Sequence, residues 1–303
     1  MDKKRALQPV HQAVLDFGQE QIGHLAGQDR RVFDIAARFM ADERVDPIYS
    51  HPGLCLTVLP HREIHAGQSW RRHTGYAELM ILPLEGHDRR MRGVPFGVKA
   101  RLILLYLMTE AVKTRSRQIE LGRSMRAWMT SMGVPSCGKN IKTIADQCDR
   151  IEHCVLSFKL NDSTEASLRD GIIRGSFRNI GVENEPRVVE LSQGFYDTII
   201  RRPVPVVEAA VRALADTCMP LDLYLWLAYR LHVLEQPLAV SWTSLHAQFG
   251  AGTQQLKHFK PRLQRDLELA KAVYPEARAD ISERGITLFP SPPPIAARLI
   301  ARR

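Results

Sequence analysis

The sequence predicts an α+β chain, mainly helical with small β hairpins, built as two tandem units of similar construction. Three observations carry that prediction. Apolar residues recur at helical spacing over several stretches of ten residues or more. Short alternating stretches separated by turn residues follow those helices. The same order of elements then occurs once in each half. A length of 303 residues suits two domains of about 100–200 residues each.

Residues 1–50 read as a polar N-terminal arm, a candidate for partial disorder. One amphipathic helix is expected near 29–42 from the spacing of Val32, Ile35, Ala36 and Phe39. Residues 53–59 and 77–84 are apolar and read as strands. Basic loops are expected at Arg71-Arg72-His73 and Arg89-Arg90-Met91-Arg92. Residues 97–113 form an apolar helix with Ala100, Leu104, Leu107, Met108 and Ala111 on one side. Ile119 and Leu121 mark a short strand, and a helix near 123–132 stops at Gly133-Val134-Pro135. The next helix, 138–152, turns Ile141, Ile144, Ala145, Cys148 and Ile151 inward. A strand at 154–160, a polar turn at 161–164 and strands at 171–178 and 187–191 complete residues 51–200, the first domain with its basic N-terminal extension. Helix, strand, helix, turn, helix, strand, hairpin is the order of a winged helix, a helix-turn-helix variant whose hairpin is the wing.

The second domain, residues 201–295, repeats that order. A joining helix is expected at 205–217 (Val207, Ala210, Val211, Leu214), then an apolar helix at 220–234 and a short strand at 238–240. A short helix at 243–249, a glycine turn at 250–252 and a longer basic helix reaching Tyr274 follow. Ala277–Ile281 and Ile286–Phe289 form the hairpin around Ser282-Glu283-Arg284-Gly285. The proline-rich stretch 290–294 ends the domain, leaving a basic tail at 296–303.

Composition narrows the partner. Lys and Arg total 42 against 33 Asp and Glu, a net charge of +9, which favours a polyanion. Residues 62–126 alone hold thirteen Lys/Arg against six Asp/Glu. The five cysteines include no C-x-x-C pair, which fits a reducing cytoplasm and argues against a disulfide framework or a structural zinc site. No signal segment or apolar run of membrane-spanning length occurs, so the expectation is a cytoplasmic protein without a membrane partner. No long basic amphipathic helix with aromatic anchors points to a membrane surface either.

Catalytic residues, cofactors and metals are all expected to be absent. A metal-dependent strand-nicking enzyme needs a His-x-His pair, and none occurs. His61-Arg62-Glu63-Ile64-His65 is the nearest cluster, and it is not the zinc-peptidase order. A phosphate loop of the G-x-x-x-x-G-K-[ST] type is missing as well.

The candidate binding residues lie on the helix that follows each turn. At about 100° per residue, Leu256, Phe259, Leu263, Leu267 and Ala270 fall on the core side of the basic helix. Gln254, His258, Arg262 and Arg265 fall opposite, flanked by Gln255 and Lys257, and Arg284 sits at the hairpin tip. Arg can bond guanine O6 and N7 together, and Gln the adenine N6 and N7. Lys260 is expected to pack its stem and project its amine. Pro261 inside this helix predicts a kink or a separate first turn. In the first domain the same position offers Lys139, Asn140, Lys142 and Thr143, but also Asp146 and Asp149. That mixture suits phosphate contact or self-association better than base reading.

Several stretches together resemble the plasmid-encoded RepA replication initiators of proteobacteria. They are residues 93–107 (GVPFGVKARLILLYL), 119–124 (IELGRS), 221–231 (LDLYLWLAYRL), 248–250 (QFG), 258–260 (HFK), 274–277 (YPEA) and 290–294 (PSPPP). The resemblance runs from about Gly53 to Ile295. It implies tandem winged helices that bind double-stranded DNA at repeated origin sites (iterons) and at the protein's own operator. It also implies opening of the origin, recruitment of the host initiator and replicative helicase, dimerisation and autorepression. A winged-helix transcriptional regulator is the alternative, and folding physics alone does not separate the two.

Overall fold

The computed structural model describes residues 9–17, 27–42, 46–160, 167–175, 177, 187–250 and 255–295. Helices dominate and the sheets are small, so the chain is α+β. It divides into two compact units, one built from the described residues up to Ile48 together with those from Pro205 on, the other from Tyr49 to Val204.

In chain order, helices α1 (Pro9–Phe17) and α2 (Gly27–Ala41) precede β1 (Pro47–Ser50) and α3 (Pro52–Leu56). Strands β2 (Trp70–His73) and β3 (Ala77–Pro83) lead to the long helix α4 (Gly97–Thr114). Then come β4 (Gln118–Glu120), α5 (Met125–Ser131), α6 (Gly138–Glu152), β5 (Cys154–Leu160), β6 (Ser167–Gly171), β7 (Val188–Glu190) and α7 (Gln193–Arg201). The remaining elements are β8 (Val204–Val207), α8 (Glu208–Ala213), α9 (Cys218–Arg230), β9 (Leu238–Ser241), α10 (Trp242–Phe249), α11 (Leu256–Lys271), β10 (Ala279–Ser282) and β11 (Gly285–Leu288).

The Tyr49–Val204 unit is organised around α4. Ala100–Leu105, Leu107–Thr109 and Ala111 are buried, so this helix is enclosed on nearly every side. A four-stranded antiparallel sheet, order β2-β3-β5-β6, forms one wall, with Leu79 opposite Phe158 in the register. Strand β4 pairs instead with β7. Trp128 of α5 meets Tyr106 of α4 edge-on at 5.8 Å and stacks with Phe177 at 6.2 Å. Burying aromatic surface of this size is a main stabilising contribution.

Four expectations in this unit need correction. The strand expected at 171–178 is displaced: β6 runs Ser167–Gly171, and residues 172–175 lie outside it. Residues 53–59 are not a strand: Pro52–Leu56 form α3. Pro52 occupies its first turn, where a missing N–H costs nothing, and His51 Nδ1 accepts the Gly53 N–H at 3.0 Å as the cap. Gly53 is required there because a Cβ would lie 2.4 Å from the Phe158 ring. Arg71-Arg72-His73 belong to β2 rather than to a loop, and the Arg72 guanidinium sits over the Trp70 ring at 4.3 Å. Burial there lowers the Arg72 pKa. On α6, Ala145 is exposed and Gln147 takes the inward position, its Oε1 accepting the Phe96 N–H at 2.8 Å. A buried side-chain amide is tolerated because that bond satisfies it.

His51 lines a cavity of about 70 Å³ with Phe158, Leu160, Leu168, Thr198, Arg201 and Arg202. Its ring lies 4.9 Å from Phe158. Burial, and secondarily the Arg202 charge, push its pKa down to about 4.

The other unit is built on α9, whose residues Met219–Ala228 are all buried. Tyr224 meets Tyr274 edge-on at 6.2 Å and its hydroxyl accepts the Val207 N–H. Trp226 packs edge-on against Phe249 at 5.4 Å. The N-terminal helices join this core. Phe33, Ile35, Ala36 and Ala37 of α2 are buried, and buried His11 of α1 bonds the Ala272 carbonyl through Nε2 at 2.8 Å. The helix expected at 205–217 is shorter. Residues Val204–Val207 are extended, and only Glu208–Ala213 are helical. The tail 296–303 and the polar turn 161–164 lie outside the described residues, as does part of the strand expected at 171–178.

Candidate nucleic-acid interface

The second unit presents its candidate face through β9, α10, α11 and the β10–β11 hairpin. Ser241 caps α10 by accepting the Ser244 N–H at 3.1 Å. The helix ends at Gly250, whose N–H bonds the His246 carbonyl at 2.8 Å. A Cβ at Gly250 would lie 2.5 Å from that carbonyl oxygen, so the close turn needs glycine.

Helix α11 buries Phe259, Leu263, Leu267, Leu269 and Ala270. Two assignments differ from expectation. Leu256 is exposed at the first position of the helix. Leu269 is buried too, on a helix that packs against α2 and α10 as well as α9. Pro261 neither separates the first turn nor ends the helix, which runs unbroken from Leu256 to Lys271. Proline removes only the bond to the Lys257 carbonyl, and Lys257 is exposed, where water can take that place.

Opposite the buried seam, Gln255, Lys257, His258 and Arg265 are exposed and Arg262 is partly so. Arg262 Nε lies 3.8 Å from Asp266 Oδ2, and Arg265 Nε donates to the Pro261 carbonyl at 3.3 Å. Gln254 lies outside the described residues.

The hairpin is tied to this helix pair through a residue the sequence pattern did not single out. The Trp242 ring N–H donates to the Ser282 carbonyl at 3.2 Å, and its backbone N–H donates to the Arg284 carbonyl at 3.2 Å. Lys260 Nζ sits 5.5 Å above the Trp242 ring. No local signal could have found this set, since its members come from three separate elements. Strand β11 pairs with both β10 and β9, and Gly285 permits it: a Cβ there would lie 2.0 Å from the Val240 carbonyl oxygen. Arg284, exposed at the two-residue tip, is thus held by its own backbone.

The helix expected to take the same part in the other unit is α6. Lys139 and Lys142 are exposed. Asn140 and Thr143 are partly committed to local structure, Asn140 Nδ2 donating to the Pro135 carbonyl at 2.8 Å and the Thr143 hydroxyl to the Lys139 carbonyl at 3.0 Å. The two aspartates are not bare charges. Arg150 Nε pairs with Asp146 at 2.9 Å and Arg92 Nε with Asp149 at 2.5 Å, while Arg150 also pairs with Glu63. Arg101, within the basic stretch, is structural: it is buried and donates to the Leu59, Pro60 and Gly97 carbonyls.

Residues 94–243 match the family described as plasmid encoded RepA protein. Over that segment the chain belongs to the plasmid encoded RepA family. The segment shared with the RepA family runs from three residues before α4 into the first turn of α10. It contains α6 and the α9 core but neither α11 nor the β10–β11 hairpin. No curated protein matches the chain. Two crystal structures of RctB domains 2 and 3 are similar. The selenomethionine form is 14% identical with a TM-score of 0.49, covering 77% of this chain and 93% of that one. The other is 13% identical with a TM-score of 0.47, covering 78% and 94%. Among the described residues no helix is long and apolar enough to cross a membrane.

Proposed function

We propose that this RepA-family protein is a sequence-specific initiator of plasmid replication that binds double-stranded DNA as two tandem winged helices. The observation that carries the proposal is the α11 face. Lys257, His258, Arg262 and Arg265 stand opposite a buried apolar seam, next to a hairpin anchored through Trp242. Family membership supports the replication role. In the second unit, β9, α10, the glycine turn, α11 and the β10–β11 hairpin follow the winged-helix order, with α11 as the helix for the major groove and Arg284 at the wing. Lys139 and Lys142 of α6, helped by Asn140 and Thr143, serve phosphates rather than bases, because their neighbouring acids are already paired internally. Binding at repeated origin sites, origin opening, recruitment of the host initiator and helicase, dimerisation and autorepression complete the role, which contains no catalytic step and is carried out in the cytoplasm.

The test is a footprint of the full chain on DNA flanking its own gene, at moderate salt with competitor DNA. Protection of several direct repeats is expected. Protection of one inverted repeat at the promoter alone would make the protein a regulator instead. An absence of specific protection would overturn the proposal.

A further inference from the structure

His87, Glu152 and His153 lie together in the Tyr49–Val204 unit, with one potential ligand atom from each within 4.8 Å of the others. We infer that they form a binding site for a divalent transition metal of the zinc class, apart from any DNA-contacting residue. His153 stands just past the end of α6, and its Nδ1 lies 2.8 Å from the Asp149 carbonyl oxygen and 3.4 Å from the Asp149 carboxylate. A ring that donates from Nδ1 turns the Nε2 lone pair the other way, the arrangement typical of metal-bound imidazoles. Asp149 is itself fixed by Arg92. The outer support that orients a ligating histidine is therefore already built.

Glu152 supplies the oxygen. Its Oε2 accepts the Phe177 N–H at 3.0 Å, and its Oε1 lies 3.9 Å from His153 Nε2. Both side chains are buried, 5% and 9% exposed. An ionised carboxylate held out of water is costly unless a cation or strong donors offset it. A metal ion between Oε1 and Nε2 would supply that charge, at the helix end where the backbone carbonyls also favour a cation. His87 completes the set, its ring edge-on to His153 with centroids 5.6 Å apart. Ligand atoms around zinc stand about 3.3–3.5 Å apart, given metal–ligand bonds of about 2.0–2.2 Å. Closing the gap therefore takes a shift of about an ångström, which exposed His87 on its turn can make. Two imidazoles and one carboxylate select zinc-like ions over magnesium or calcium, with water in the fourth position. The bound ion would join the turn carrying exposed Arg89 and Arg90 to the end of α6.

The test uses the full chain after chelator treatment, titrated with Zn²⁺ by calorimetry and with Co²⁺ by visible absorption. One equivalent should bind, with the intense bands of four-coordinate Co²⁺, and Zn²⁺ should raise the melting temperature. His87→Ala, a change at an exposed position, should weaken that equivalent by more than about tenfold and abolish the Zn²⁺-dependent rise. Glu152→Gln should weaken it too, while His65→Ala, in the other histidine cluster, should leave it unchanged. Failure of the unaltered chain to take up metal would overturn the inference. So would an equivalent that survives His87→Ala or disappears with His65→Ala.

Discussion

The buried His51 ring makes the stability of its unit depend on pH in a calculable way. Its folded pKa is about 4, against about 6.5 in an unfolded chain. The unfolded state therefore binds more protons between those values, and stability falls as pH drops through about 6.5 and continues to fall until about 4. For these two values the loss relative to high pH is about 0.2 kcal/mol at pH 7, about 1.4 at pH 5.5 and about 2.6 at pH 4.5. The structural cause is specific. Nδ1 is occupied in capping α3, and Arg201 and Arg202 line the same cavity, so an imidazolium would lose its cap and face like charge. His51→Asn keeps a capping oxygen and cannot titrate. Urea unfolding of both proteins at pH 7.0, 5.5 and 4.5 isolates the effect, because all other titrating groups are shared. The gap between the two should move by about 2.4 kcal/mol in favour of the variant between pH 7 and 4.5. Curves that stay parallel to within about 0.5 kcal/mol, or an imidazole proton signal of His51 that titrates near 6.5, would refute the reasoning.

Other outcomes follow from the second unit and the proposed binding face. Trp226→Ala and Phe259→Ala should each cost about 3–5 kcal/mol, since both rings are buried against other aromatics; a native unfolding midpoint in either would show the core is assigned wrongly. Gly285→Ala places a methyl group against the Val240 carbonyl and should push β11 off β9, costing roughly 1–3 kcal/mol. Denaturant unfolding of that variant, with unchanged stability, would mean the hairpin closes differently. Arg262→Ala and Arg265→Ala should each weaken specific DNA binding by about 1–3 kcal/mol if they touch bases, measured by titration of the footprinted site; full affinity in both would remove α11 as the reading helix. Affinity should also fall steeply between low and moderate salt as Lys and Arg release counterions, and a flat response would contradict phosphate contact.

Much of this architecture was legible in residue order because the signals are local. Helix α6 and strand β5 occupy the residues their apolar spacing predicts, since the period of an amphipathic pattern reports directly which side of an element is buried. The resemblance to RepA initiators rests likewise on contiguous stretches, two of which, 93–107 and 221–231, lie largely in the buried helices α4 and α9. Local pattern failed where burial is not one-sided. Residues 53–59 are apolar without a period, and only the proline and the His51 cap turn Pro52–Leu56 into a helix. Gln147 replaces Ala145 in the core because a backbone N–H from before α4 reaches its side chain, a bond that no spacing announces.

On the proposed binding face, the sequence placed Lys257, His258, Arg262 and Arg265 on one side of a helix, because side-chain direction follows from helix geometry alone. Tertiary structure decided what flanks them. Trp242 clasps the hairpin and Lys260 rests on its ring; within the other unit, Asp146 and Asp149 of α6 pair with Arg150 and Arg92. It also brought His87 beside Glu152 and His153 across 65 positions of chain. Periodicity is a property of neighbours along the backbone, whereas these groupings depend on which distant surfaces exclude water together, and that is settled only when the whole unit packs.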